Sequence, residues 1–192
     1  MKKRTSKQIL AETLLEQCES HPLESISLKE IIDASGLSVQ TFYNHFEDKT
    51  DLIFYIYTQE IAPLFEKFRN GSSTFEELLS GCIFVCEHHR QFLRRAFGMR
   101  NTELEERIDQ FNRKMWEESL LPLCGGLKEG EAVLILHLYC YGVERLLLER
   151  IFAENPVDSK VFLSCVMGGM PEKLRRCLKD ERESTEPEEE SV

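Results

Sequence analysis

Residues 27–46 read SLKEIIDASGLSVQTFYNHF, and this stretch decides the fold. Ser27 with Glu30 three residues later has the form of a capping box, in which hydroxyl and carboxylate satisfy each other's orphan amides at a helix start. Ile26 and Ile31 stand at the two staple positions around it. Ser38 gives a second start, with Leu37 and Phe42 as its staple. Between them lies Gly36, where the chain needs a left-handed residue to leave one helix and begin the next. The spacing predicts helices over 28–34 and 38–45 around a tight turn, the geometry of a helix-turn-helix. Val39, Phe42 and Phe46 fall largely on one face, against Ile31 and Leu37. The other face presents Gln40, Tyr43 and Asn44, with Thr41 and His45 at its edges. It carries donors and acceptors without an acidic group, which suits a helix lying in a major groove between phosphate rows.

Outward from this segment, no run alternates apolar and polar residues with β-branched enrichment, and apolar residues recur at three and four spacings, so an all-α chain is expected. Thr5 with Gln8, Thr74 with Glu77 and Thr102 with Glu105 have the form of three further capping boxes. Together with the breaks at Gly98, Asn155-Pro156 and Pro171, they place helices near 6–20, 28–34, 38–45, 48–69, 75–97, 103–120, 130–153, 158–167 and 171–179. Pro63 should kink or divide its helix, because it removes a backbone donor.

A net charge of −10 over 192 residues argues against nucleic acid only if charge is uniform, and much of the excess sits in DERESTEPEEE at the carboxyl end. Residues 180–192 are expected to be a disordered acidic tail. Lys2, Lys3, Arg4 and Lys7 form a basic arm at the other end. The seven cysteines show no Cys-x-x-Cys pair and read as reduced, small hydrophobes in a cytoplasmic protein. Cys82, Cys86 and His89 share a helix face, a spacing a metal could use, but the core reading is favoured and no metal, cofactor or catalytic residue is expected. No secretory signal is visible and no apolar run reaches the roughly 20 residues of a membrane span.

The segment 130–153 is apolar almost all round, so both of its faces need cover. A two-fold mate supplies the second cover, which predicts a homodimer with Tyr139, Gly142 and Leu146 as one stripe and with Phe162 and Val166 beside it.

The run TFYNHFEDKTDL, residues 41–52, resembles the signature of the TetR family of transcription regulators, and the likeness extends over residues 5–55. It implies an amino-terminal helix-turn-helix three-helix DNA-binding domain, residues 1–47. A helical ligand-binding and dimerisation domain would then follow over 48–179, with helix 48–69 as the link. By that resemblance Thr41, Tyr43, His45 and Lys49 hold phosphates of double-stranded operator DNA, Lys29, Val39, Gln40 and Asn44 approach base edges, and Ser27 and Ser38 start the two reading helices. Asp48 would cap the fourth helix. The family also implies an inducer pocket, for which Cys86, His89, Phe111, Met115, Trp116, His137 and Tyr141 are the candidates. QTFYNHFEDK, HRQFLRRAFG and MPEKL further resemble a subgroup that includes regulators of dihydroxyacetone kinase operons, so the signal could come from a small molecule or a partner protein. The competing readings are a helical interaction module that has lost DNA binding or ligand sensing, and a helical-bundle enzyme. The second lacks a Glu-x-x-His ligand pair and a nucleophile with a base beside it.

Overall fold

In the computed structural model residues 4–185 are described, with Glu129 and residues 180–185 as backbone alone, and no strand occurs among them. The chain is all-helical: α1 (Ser6–Ser20), α2 (Leu28–Ser35), α3 (Val39–Tyr43), α4 (Lys49–Arg69), α5 (Phe75–His88), α6 (Arg90–Gly98) and α7 (Thr102–Leu120). A 3-10 turn, Leu121–Cys124, leads to α8 (Glu129–Phe152), α9 (Ser159–Gly168) and α10 (Glu172–Thr185).

Local chemistry sets most of the starts. Thr5 and Ser27 form complete capping boxes with Gln8 and Glu30. Thr74 does the same with Glu77, through Glu77 N–H to Thr74 Oγ1 at 3.1 Å and Thr74 N–H to Glu77 Oε2 at 2.7 Å. The fourth box is corrected. Asn101, not Thr102, caps α7, its Oδ1 accepting from Leu104 N–H at 3.1 Å. Asn is at least as good a cap as Thr, and Arg100 before it takes the positive φ of 51° that turns the chain into position. The expected helix 75–97 is divided, because His89 leaves helical geometry at φ −102°, ψ 22°. This break lets α6 bury its own face of Phe92, Leu93 and Ala96. Pro63 does not divide α4, which runs through it. The last helix continues to Thr185, beyond the expected end at 179. Its Glu172 to Arg176 pair at 3.2 Å and its Lys, Arg and Glu content favour helix. The rest of the expected acidic tail, residues 186–192, lies outside the described residues, as do Lys2 and Lys3.

Two compact units emerge: the chain up to Pro63 with Val85–Phe111, and Leu64–Phe84 with the chain from Asn112 onward. In the first, Leu10, Leu14, Leu23, Ile31, Phe42 and Leu52 are fully buried and hold α1 to α4 together. Each such side chain contributes roughly 1.5–3 kcal/mol by leaving water. In the second, Trp116 packs edge-on against Phe65 with ring centroids 4.7 Å apart, and Leu78, Leu79, Leu120 and Leu136 are buried.

Candidate nucleic-acid interface

Gly36 ends α2 in the left-handed region at φ 67°, ψ 13°, and two residues later Ser38 starts α3. Ser38 Oγ accepts from Thr41 N–H at 3.0 Å and lies 2.8 Å from Thr41 Oγ1. Phe42 and Phe46 turn inward, their rings 5.6 Å apart. Val39, Gln40, Tyr43, Asn44 and His45 are thereby left on the outside, with Val39 58% and Tyr43 54% exposed. Gln40 Nε2 donates to Asn44 Oδ1 at 2.9 Å. Ser27 and Lys29, at the start of α2, are exposed too. The backbone and hydroxyl of Ser27 both donate to Glu30 at 2.7 Å and hold its carboxyl below the usual carboxylate range.

Lys49 does something the sequence did not announce. Its Nζ donates to Leu23 O and Ile26 O, each at 2.8 Å, closing the loop between α1 and α2. Partial burial pushes its ammonium below the usual lysine range. Two of its three N–H groups are thus spent inside the protein. Asp48 caps α4 through Asp51 N–H at 2.8 Å, while Asp51 pairs with Arg107 at 2.8 Å. Arg4 pairs with Glu12 at 2.9 Å, and Lys7 lies over the Phe46 and Tyr55 rings, 5.7 and 5.4 Å from their centroids. The end of α1 is finished by α6: Arg95 donates to the carbonyls of Cys18 and His21, and Gln91 to that of Glu19 at 2.7 Å. Sequence reasoning missed Gln91 and Arg95, since nothing local marks a cap supplied from so far along the chain.

The pocket candidates separate. Cys86, His89 and Phe111 belong to the first unit, and Met115, Trp116, His137 and Tyr141 to the second. His89 lines an open groove of about 480 Å³ with Leu15, Glu16, Glu19, His88 and Phe92, and its Nε2 lies 3.4 Å from Glu60 Oε2. That contact holds the Glu60 carboxyl below its usual range. Phe111 packs edge-on against Phe54 and Tyr57 at 6.1 and 6.0 Å. In the second unit the polar tips are already engaged: Trp116 Nε1–H donates to Glu144 at 2.7 Å, and His137 bonds Glu117 at 2.7 Å while stacking on Tyr141 at 5.0 Å. Met115 is buried, in contact with Arg69.

The stripe on α8 is rotated from the expected one. Tyr139 and Val166 lie inside the protomer, joined by Tyr139 O–H to Val166 O at 2.9 Å, and burial drives the phenol pKa up. Ala132, Leu136, Cys140 and Val143 complete that inner face. On the outer side Leu134 is 72%, Leu138 78% and Leu146 47% exposed, with Gly142 exposed among them and Val161 of α9 52% exposed. Phe162 is half-buried beneath the Arg150 guanidinium, 5.3 Å away.

A capped pair of short helices around a left-handed glycine, with a five-residue second helix presenting amides and a tyrosine, defines a helix-turn-helix DNA-binding protein. Residues 10–56 match the family model described as bacterial regulatory proteins, tetR family. The match spans the amino-terminal segment that carries the helix-turn-helix. No curated protein matches the sequence. Among solved structures, the chain resembles the dihydroxyacetone kinase operon activator DhaS with a TM-score of 0.66 at 17% identity, covering 91% of this chain and 97% of that one. The fatty acid degradation regulator FadR from Bacillus halodurans gives 0.63 at 16%, covering 88% and 98%. The TetR family repressor AlkX from Dietzia sp. strain DQ12-45-1b gives 0.55 at 17%, covering 90% and 96%. At these identities the likeness establishes a shared all-helical fold. No described helix is long and apolar enough to cross a membrane.

Proposed function

We propose that this chain is a transcription regulator that binds a palindromic operator as a homodimer, with α3 in the major groove, and that a small molecule or a partner protein acting on the chain beyond residue 47 controls it. The outward face of α3 carries the reading: Val39, Gln40, Tyr43 and Asn44 stand exposed with no acidic group among them. Tyr43 and His45 reach phosphates, and Lys29 approaches from α2. Lys49 supports the interface from behind by holding the loop that positions α2. Leu134, Leu138 and Leu146 of α8 with Val161 of α9 form a dry outer surface that a two-fold mate would cover. No catalytic role is proposed.

A second reading, an interaction module that keeps the fold without binding DNA, is favoured by the net charge of −10. Binding of the full chain to duplexes from its own upstream region, followed by fluorescence anisotropy across salt, separates the two. A regulator loses affinity with a log–log slope of roughly −0.9 per phosphate neutralised, and Tyr43→Ala weakens every duplex alike. Absence of binding even at low salt leaves the interaction module standing.

A further inference from the structure

Inside α3 the hydrogen-bonding groups are not equally available. The hydroxyls of Ser38 and Thr41 are turned on each other at 2.8 Å in the cap. Gln40 and Asn44 lie one turn apart on the exposed face and are tied twice, by Asn44 N–H to Gln40 O at 3.0 Å and by Gln40 Nε2 to Asn44 Oδ1 at 2.9 Å. A glutamine amide owns one oxygen and two N–H groups, and an exposed one rotates freely between presenting either end. Here one N–H is spent on Asn44. What Gln40 has left is one acceptor and one donor on a restrained amide.

We infer that Gln40 and Asn44 work as one unit that reads adenine, Gln40 touching the base and Asn44 acting as its positioning residue. This rests on the reading of α3 as the major-groove helix. Adenine presents there an N7 acceptor and an N6–H donor, the complement of the remaining amide pair, whereas guanine presents two acceptors, N7 and O6. Against guanine, Gln40 Oε1 would face O6 with no proton between them, and both would stay desolvated and unpaired. Composition points the same way. The residues from Ser38 to Asn44 include no Arg or Lys, the side chains that most often read guanine. Val39, apolar and 58% exposed beside Gln40, fits the thymine methyl, the one apolar group on the major-groove edge and one that always accompanies adenine.

The test is selection of bound duplexes from a randomised pool by the full chain, by Gln40→Ala, by Asn44→Ala and by the double variant. The selected duplex is then titrated again with 7-deazaadenine, which has C–H in place of N7, or with a G·C pair at the implicated position. The unaltered chain should enrich one A·T position in each half-site and lose about 5- to 150-fold in affinity on either replacement. Gln40→Ala should bind adenine and 7-deazaadenine equally. Asn44→Ala should lose the same discrimination, with the double variant no worse, while all variants keep salt-dependent binding to random duplex. If Asn44→Ala weakens all duplexes uniformly and the adenine to 7-deazaadenine ratio stays as it was, Asn44 is only the end of α3 and the coupled unit is overturned. Enrichment of guanine, or of no base that responds to Gln40→Ala, overturns adenine reading while leaving α3 a DNA-binding helix. Failure to retain any duplex at any salt sinks the reading of α3 itself.

Discussion

The outer faces of α3 and α8 both carry side chains that the protomer leaves uncovered, yet they ask for different neighbours. On α3 the exposed groups are amides, a phenol and an imidazole around a single valine. Their hydrogen bonds have direction, so a matching surface must present donors and acceptors in register. On α8 they are Leu134, Leu138 and Leu146, whose burial is favourable against any dry surface of the right shape. A second copy of the same face is always at hand, so hydrocarbon suits self-association and directed polar groups suit reading a sequence.

The sharpest way to break this contrast is Leu138→Glu. Two like charges would be desolvated across the two-fold axis, so sedimentation velocity should show monomers, and operator affinity should fall by about 10²- to 10⁴-fold as the second half-site contact is lost. An intact dimer with wild-type affinity would mean that α8 does not form the subunit contact. Leu146→Glu, at a less exposed position, should act in the same direction. Next in size is Lys49→Met. Orphaning the carbonyls of Leu23 and Ile26 should cost about 1–3 kcal/mol in urea unfolding, with the salt slope of DNA binding unchanged. A slope lower by about one would instead place Lys49 on a phosphate. The smallest effect concerns neither face. Because His89 depresses the Glu60 carboxyl in the folded state, the stability it adds is present above the ordinary value of 4.5 and is lost as pH falls below it. Glu60 is 41% exposed, so Glu60→Gln should flatten the acid limb of the stability profile by only a few tenths of a kcal/mol.

How far the fold could be read follows the distance over which each signal acts. Gly36, the Ser27 and Ser38 caps and the boxes at Thr5 and Thr74 were legible because every partner lies within three residues, and the inward phenylalanines because their spacing puts them on one face. Asn101 and Thr102 stand side by side and both can cap, so their order in the sequence does not say which one starts α7. The signature implies a phosphate for Lys49 and gives no hint of the two carbonyls it holds, 26 and 23 residues earlier. The apolar excess of α8 was visible, but which side faces outward depends on where Tyr139 finds the Val166 carbonyl, 27 residues on. Trp116, His137 and Phe111, read as pocket candidates, meet partners that composition and spacing do not reveal.

The clamp of Arg95 on the end of α1 carries a consequence for synthesis. The carbonyls of Cys18 and His21 wait for a guanidinium that lies 77 and 74 residues further along the chain. At translation rates of roughly 5–20 residues per second, that interval is about 4–15 s. α2 to α4 are made within it, while the end of the first helix stays open to water. The helix-turn-helix is therefore made before the clamp that finishes its neighbouring first helix, and a nascent chain halted before α6 would carry a frayed α1 beside an otherwise complete motif.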